Sequence, residues 1–544
     1  MATSFIFDGK KIKRPGVYSQ IKSGIKNPPA SLDFGNVLIL DTGIGASWNG
    51  GAGINGELES GKDAIYSFQD VSSYKDFVQG GILWDLGESL FRPSALGTAG
   101  ASNVTIVRAA TTVGATISYT FTGGGAAGGT FACKVKSEGL VGNGAVDTDG
   151  NLTKGFAGLM KAGVIDTSKF VLEFYKTGFV GVDSDGDAFN FVSASDSSPE
   201  LLARSVEFSN IAELIAWGNS DFNFKQFFEL TSASVVTGTG VVDTDDLAAN
   251  LSFELAAGGT ESFSSDDLDA ALDAVSDLSI DFILASDYGA TPTATSANNL
   301  KILAWIAEEA KIKPDLYVGG GLDVTEFSTA TGSLATATFF DSQFVTVVHG
   351  GVKKNTPNGV KIRPSIYHAA SVLGREAGLA PQVPLTFKNI RVDGIAHLLN
   401  SKEEIQGLDG GVLMTNLDNG SFDIVKGINS LQRNDNLINE DGTTSSKQIR
   451  RVSRQINKEL LFNVKRDLLK QPNGVNRNTL TAQDVEEYVK GYLRDITANS
   501  ISDNLILGFQ NVVVELDRDA YRVNYEIITN REISFVLLTG FIVE

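Results

Sequence analysis

At 544 residues the chain is long enough for roughly three or four cores of ordinary domain size. Its 65 acidic residues against 45 basic ones leave a formal net charge of -20, which argues against a general nucleic-acid binder and against docking on an anionic membrane surface. The single cysteine, Cys133, excludes an internal disulfide framework and a four-cysteine zinc site, and no apolar run approaches the ~18 residues of a membrane span.

The first residues, Met-Ala-Thr-Ser-Phe-Ile-Phe-Asp-Gly-Lys-Lys, place charges where a secretory leader needs its apolar stretch, so synthesis in the cytosol is expected. Residues 1–30 then carry Arg14-Pro-Gly-Val-Tyr-Ser-Gln-Ile21 and Pro28-Pro29, short extended pieces and stiff turns that read as an arm. Val37-Leu-Ile-Leu40 predicts a buried strand, Ser73-Tyr-Lys-Asp-Phe77 the end of a helix, and Val104-Thr-Ile-Val107 a second strand, an α/β opening. From 114 to 255 the pattern changes to short alternating strands such as Thr116-Ile-Ser-Tyr-Thr-Phe121 and Lys169-Phe-Val-Leu-Glu-Phe174, separated by Gly, Asp and Asn turns, as in an inserted β domain.

Strand–helix alternation resumes at 256. Ser264 or Ser265 can cap a helix with Asp266 and Asp267 in its first turn and Leu268, Leu272 and Val275 on one face. Strand Asp281-Phe-Ile-Leu-Ala285, a helix around Asn299 to Ala310, and strands at Leu316-Tyr-Val318 and Phe344-Val-Thr-Val-Val348 follow. A C-terminal block is expected from about 359, with a helix over Ser365 to Arg375, strands near Val412-Leu-Met414 and Phe422-Asp-Ile-Val425, and a long helix from Lys447 to Leu469. Thr481 and Asp484 mark the start of another helix, and strands at Asn511 to Leu516 and Tyr521 to Ile528 precede the terminal segment.

Candidate sites for chemistry are weak. Gly51-x-Gly53-x-x-Gly56 matches a dinucleotide fingerprint as a string, but the glycines do not join the upstream strand directly to a helix. Gly56 to Gly61-Lys62 has phosphate-loop spacing, yet Asp63 stands where Ser or Thr should reach magnesium, and Glu57 and Glu59 would repel phosphate. The turns Asp147-Thr-Asp-Gly150, Asp183-Ser-Asp-Gly-Asp187 and Asp243-Thr-Asp-Asp246 invite a calcium reading but lack the loop's glycine and ligand spacing, so solvated turns are preferred. His349, His368 and His397 are scattered and take plain structural roles. No cofactor, metal site or catalytic residue is expected.

Two surface features stand out. At 100° per residue, Lys447, Arg451, Arg454, Lys458 and Lys465 fall on one stripe of the long helix, opposite Ile449, Val452, Ile456 and Leu460. Such a stripe suits an acidic partner surface, while a solvated face or salt bridges to the chain's own carboxylates explain it equally well. The last residues, Ile533-Ser-Phe-Val-Leu-Leu-Thr-Gly-Phe-Ile-Val-Glu544, read as an apolar strand with no covering element, a hazard unless it pairs with a sheet edge.

In order and spacing the segments resemble the contractile tail sheath proteins of bacteriophages, related to R-type pyocin and type VI secretion sheaths. Arg14-Pro-Gly-Val-Tyr18 is similar to the family's arm motif, and Phe131-Ala-Cys-Lys-Val-Lys-Ser-Glu-Gly-Leu-Val-Gly-Asn143 to its strand leading into a Gly-x-x-Gly-Asn turn. Ala257-Gly-Gly-Thr260 with Asp281-Phe-Ile-Leu-Ala285, and Val425-Lys-Gly-Ile-Asn-Ser-Leu431 with Ser430 in place of Thr, resemble two further family segments. The region between Gly144 and Ser252 is only loosely similar.

The resemblance implies an α+β, multidomain tail sheath fold: an arm (1–30), a discontinuous α/β middle domain (31–113 and 256–358), an inserted β-sandwich or barrel-like outer domain (114–255), a C-terminal α/β sheath core facing the inner tube (359–530) and a C-terminal strand arm (531–544). It also implies a non-enzymatic subunit of a helical homo-oligomer of stacked rings. The expected partners are an inner tail tube and baseplate and tail terminator proteins, in a virion assembled in the host cytoplasm. Inter-subunit arm contacts would come from Arg14, Pro15, Gly16, Val17, Tyr18 and Ile21 and from Ile533, Phe535, Leu537, Phe541 and Val543, with Lys447, Arg451, Arg454, Lys458 and Lys465 facing the tube. An enzyme with a nucleotide-binding core and a β-rich surface adhesin are the alternatives from other classes.

Overall fold

Apolar runs buried on both faces make the centre of the molecule. The structure, a computed structural model, describes residues 5–7, 10–12, 34–41, 65–78, 81–94, 96–109, 111–122, 128–136, 143–146, 152–177, 180–182, 188–190, 200–238, 240–249, 252–285, 292–308, 310, 312–320, 326–356, 359–418, 420–431, 447–469, 480–497, 505–517 and 520–529. A seven-stranded sheet runs in the order Val412–Leu413, Val345–His349, Asp315–Gly320, Phe282–Ala285, Asn36–Asp41, Asn103–Arg108 and Ile65–Phe68. All neighbours are parallel except the last, which pairs antiparallel.

Alternation along each strand decides which layer a residue joins. Val37, Ile39, Leu284 and Tyr317 face the helices Val71–Phe77, Gly81–Phe91 and Ser365–Ala377. Leu38, Leu40, Ile283 and Val318 face Ser265–Val275, Pro292–Glu308 and Ser333–Phe340. Such double coverage is why these strands read as unbroken apolar runs rather than alternating ones. Gly35, at φ +89, sits where a Cβ would lie 2.4 Å from the Ala377 carbonyl oxygen, so the first strand meets the end of the Ser365–Ala377 helix through a backbone that only glycine fits.

The C-terminal boundary expected near 359 is not where the cores divide. The Ser365–Ala377 helix is buried along its whole length against the central sheet, and Val412–Leu413 is that sheet's edge strand. Strand–helix alternation simply continues through this region, so composition marks no break. A separate apolar core begins only at Val452 and joins Val485, Val489, Leu493, Leu505 and Ile506.

Residues 115–256 have a core of their own. The hairpin Thr116–Phe121/Gly129–Val135 supplies Ile117, Phe121, Phe131 and Cys133, and the hairpin Leu152–Ala162/Phe170–Thr177 supplies Met160, Phe170 and Phe174. Helix Ile211–Ser220 closes one side with Trp217, stacked 6.1 Å from Phe174. Among the described residues these sheets do not close into a barrel. The chain enters and leaves through paired strands, Thr111–Val113 against Thr260–Ser262, and Asn143 binds Gly259 with both amide atoms at 2.8 Å. The Gly-Asn turn and the Ala257-Gly-Gly-Thr260 segment, distant in sequence, thus form one neck.

Caps expected from sequence are present. Ser264 with Asp267 and Thr481 with Asp484 each form a reciprocal capping box. No helix among the described residues is long and apolar enough to cross a membrane.

Candidate functional site: an ionic seat and an open hairpin

The helix Lys447–Asn463 is segregated as its periodicity predicts, but its basic side faces inward. Val452, Ile456 and Leu460 enter the C-terminal core, while Lys447, Arg451, Arg454 and Lys458 are buried against the amino ends of the central strands. Arg454 Nη1 lies 2.6 Å from Asp315 Oδ2, and Lys458 Nζ lies 3.2 Å from both oxygens of Asp281. Lys447 Nζ is 3.2 Å from Glu376 Oε2 and donates to Thr346 Oγ1 at 2.5 Å. Arg451 caps the end of the Ser365–Ala377 helix, donating to the carbonyls of Glu376, Leu379, Ala380 and Val383 while its Nε lies 3.6 Å from Glu376 Oε1.

A fifth cation joins them. Arg450 Nε donates to Asp315 Oδ1 at 2.6 Å and its Nη2 to the Lys313 carbonyl. Aromatic faces complete the seat, with Arg450 over Phe344 at 4.1 Å, Arg454 over Phe282 at 4.6 Å and Lys447 over Tyr317 at 4.7 Å. Burial alone would raise the Asp315 carboxyl, but the charges of Arg454, Arg450 and Lys447 outweigh it and hold it well below the ordinary carboxylate range. Five cations thus meet three carboxylates inside the molecule.

This corrects the tube-facing assignment for four of its five residues. Lys447, Arg451, Arg454 and Lys458 are taken by the chain's own acids, and only Lys465, in the Val464–Leu469 turn that continues the helix, is exposed. The helical wheel finds the stripe, yet Asp281, Asp315 and Glu376 come from strand starts and a helix end far along the chain, which spacing does not reveal. Arg450 was missed, although it lies three residues after Lys447 and four before Arg454.

The hairpin Gly508–Asp517/Ala520–Ile528 packs Val514, Tyr521, Val523, Tyr525 and Ile527 onto the C-terminal core. Tyr525 O–H donates to Asn457 Oδ1 at 2.6 Å and Tyr521 O–H to the Leu480 carbonyl at 2.6 Å. Asn511, at φ 51, makes a bulge that Glu526 holds by accepting from the Gln510 and Asn511 amides at 2.8 Å. Among the described residues neither outer edge of this two-stranded sheet has a strand partner. The arm residues Arg14, Pro15, Gly16, Val17, Tyr18 and Ile21, and Ile533, Phe535, Leu537, Phe541 and Val543, lie outside the described residues, and so do the glycine strings at 51–62.

The three histidines are not scattered in space. The Ser333 hydroxyl and His349 Nδ1 are 2.7 Å apart, and the His349 and His397 rings lie 5.5 Å apart, edge to face. His368 Nδ1 donates to the His349 carbonyl at 2.8 Å, and its Nε2 accepts from the Thr415 hydroxyl at 3.1 Å. Burial lowers His349 to about 3 and His368 to about 4, so both are neutral at pH 7. Ser333 and His349 are buried, and among the described residues no carboxylate bonds to His349, which suits a structural cluster rather than a nucleophile. Burial also pushes the Cys133 thiol far above its ordinary value. Asp243 receives the Asp245 and Asp246 N–H groups as a cap, and the other two aspartate turns fall outside the described residues. No group of three metal-binding side chains occurs among the described residues.

No protein-family model matches the chain, and no curated protein matches its sequence. Among solved structures, a sheath tail protein of Listeria innocua matches over 93% of this chain and 94% of its own length, with a TM-score of 0.55 and 16% identity. A sheath tail protein of Desulfitobacterium hafniense matches over 95% of this chain and 100% of its own, with a TM-score of 0.54 and 16% identity. The chain has the fold of these sheath tail proteins.

Proposed function

We propose that this chain is a structural subunit of a contractile tail sheath, polymerising helically around an inner tube and linked copy to copy by exchanged strands. The observation that carries the proposal is a shared fold spanning 93% of the chain with a sheath tail protein. The hairpin Gly508–Asp517/Ala520–Ile528 adds a physical route, because each outer edge, unpaired among the described residues, can accept an extended strand. The arms at 14–21 and 533–543 are the donors, contributed by neighbouring copies. Each added backbone hydrogen bond is worth roughly 0.5–1.5 kcal/mol net, so several per arm make a durable tether.

In this account contraction is a change between two packings of rigid bodies held together by the arms, with the extended packing metastable. It drives the tube through a host envelope for genome delivery, in a virion whose baseplate and tail terminator bound the sheath. Catalysis has no part in it. Electron microscopy of the purified chain tests the proposal: rings, tubes or helical polymers are expected, and monodisperse monomers under all conditions would contradict it.

A further inference from the structure

The cations of the long helix are spaced so that the seat has a second register. Each seat carboxylate is held by two cations four residues apart: Glu376 by Lys447 and Arg451, Asp315 by Arg450 and Arg454, and Asp281 by Arg454 and Lys458. Lys447, Arg450 and Arg454 also lie over the rings of Tyr317, Phe344 and Phe282. Advancing the helix four residues toward its own N-terminus, about 6 Å along its axis with a roll of about 40°, brings Arg451, Arg454 and Lys458 to where Lys447, Arg450 and Arg454 now stand. Four of the six ion pairs then re-form on the same carboxylates, and all three rings again carry a cation.

Only the places of Arg451 and Lys458 receive uncharged residues, Gln455 and Phe462. No carboxylate is stranded, because Glu376 keeps Arg451, Asp315 takes Arg454 and Lys458, and Asp281 shares Lys458. The opposite displacement is poorer: it brings Thr443 and Ser446 to the places of Lys447 and Arg450, and so takes the cations from Tyr317 and Phe344. The apolar face does not resist the movement either. Val452, Ile456 and Leu460 belong to a core whose members all lie between Val452 and Ile527, so that core travels with the helix. A buried carboxylate left without its cation is strongly destabilising, and a seat that re-pairs every acid one turn along avoids that state at both ends of the slide. Contacts at the first turn favour the present register, among them Gln448 Nε2 donating to the Gln382 carbonyl at 2.6 Å and the Lys447 N–H donating to the Gly427 carbonyl at 3.3 Å.

We infer that the Lys447–Asn463 helix, with the C-terminal core it carries, is a one-turn ratchet on the central sheet, with a second seated register four residues along. The ratchet stands on the seat alone. Its use, as a movement within the subunit that accompanies contraction, rests on the sheath reading.

Nitroxide labels on Glu487→Cys in the C-terminal unit and on Leu278→Cys or Phe339→Cys in the central body, all exposed positions, read the register in the dispersed full chain by pulsed electron paramagnetic resonance. Cys133 is buried and stays unlabelled. Two distance populations are expected in at least one label pair, separated by up to about 6 Å. Lys447→Gln removes a cation seated only in the present register and should raise the second population about tenfold or more. Lys458→Gln removes the cation on which Asp315, Asp281 and Phe282 converge in the second register, and should lower it. Gln448→Met should act in the same direction as Lys447→Gln without changing a charge. A single distance in the wild type, Lys447→Gln and Gln448→Met alike would overturn the ratchet. So would a second population that rises with Lys458→Gln, the mark of a seat merely loosened. A wild-type chain that shows both registers and forms no polymer would defeat the sheath reading and leave the ratchet standing.

Discussion

Asp315 shows how much one residue can hold. It faces two guanidinium groups at 2.6 Å in a buried seat, so Asp315→Asn leaves uncompensated positive charge and should cost roughly 3–5 kcal/mol in urea unfolding. A change under 1 kcal/mol would mean that water reaches the seat. His349 and His368 give a pH signature of the opposite chemical type. Their folded values of about 3 and about 4 lie below the unfolded value near 6.5, so the unfolded state binds more protons in acid. Stability should be level above about pH 6.5 and fall as pH drops towards 4, at up to roughly 1.4 kcal/mol per pH unit for each histidine. Replacing His368 with Gln should remove part of that slope, and an unchanged slope would place the titration elsewhere. These residues mark the limit of sequence reading. Periodicity locates Lys447, Arg451, Arg454 and Lys458 on one side of a helix, but the identity of what they face depends on three distant carboxylates that no local pattern joins.

At the scale of elements, local rules were legible where the chemistry is local. Ser264 and Asp267 bracket a helix start within four residues, and Ser264→Ala should lower stability by about 1 kcal/mol. The apolar run Val37-Leu-Ile-Leu40 announced a buried strand for the same reason, and the structure covers it on both faces. The boundary expected near 359 does not coincide with a division between apolar cores: in the Ser365–Ala377 helix even the polar residues are interior, with Ser371 donating to the Tyr367 carbonyl and Glu376 meeting Lys447 and Arg451. Residues 533–544, expected from sequence to form a strand arm, lie outside the described residues. Deleting residues 533–544 should leave both the central and C-terminal cores folded, read as unchanged circular dichroism, while abolishing polymerisation; tubes built by the truncated chain would refute strand exchange.

At the scale of the whole molecule, the described residues form four apolar cores, one on each face of the central sheet, one in the inserted domain and one beneath the C-terminal hairpin, with polar devices between them: an Asn143–Gly259 neck to the inserted domain and an ionic seat beneath the long helix. Apolar cores keep each body rigid, whereas hydrogen-bonded and ionic joints have fewer acceptable geometries and define how bodies are oriented. The order of segments suggests a sheath fold, and two of the segments that carry it, Asn143 and Ala257-Gly-Gly-Thr260, meet at the neck of the inserted domain. Which faces meet other copies was not legible, since an open edge is defined by the absence of a neighbour. A cryo-EM reconstruction of the assembled chain, at a resolution that traces the backbone, addresses the central claim directly. The account predicts a strand from another copy along each outer edge of the Gly508–Asp517/Ala520–Ile528 hairpin, and assembled copies with both edges bare would contradict it.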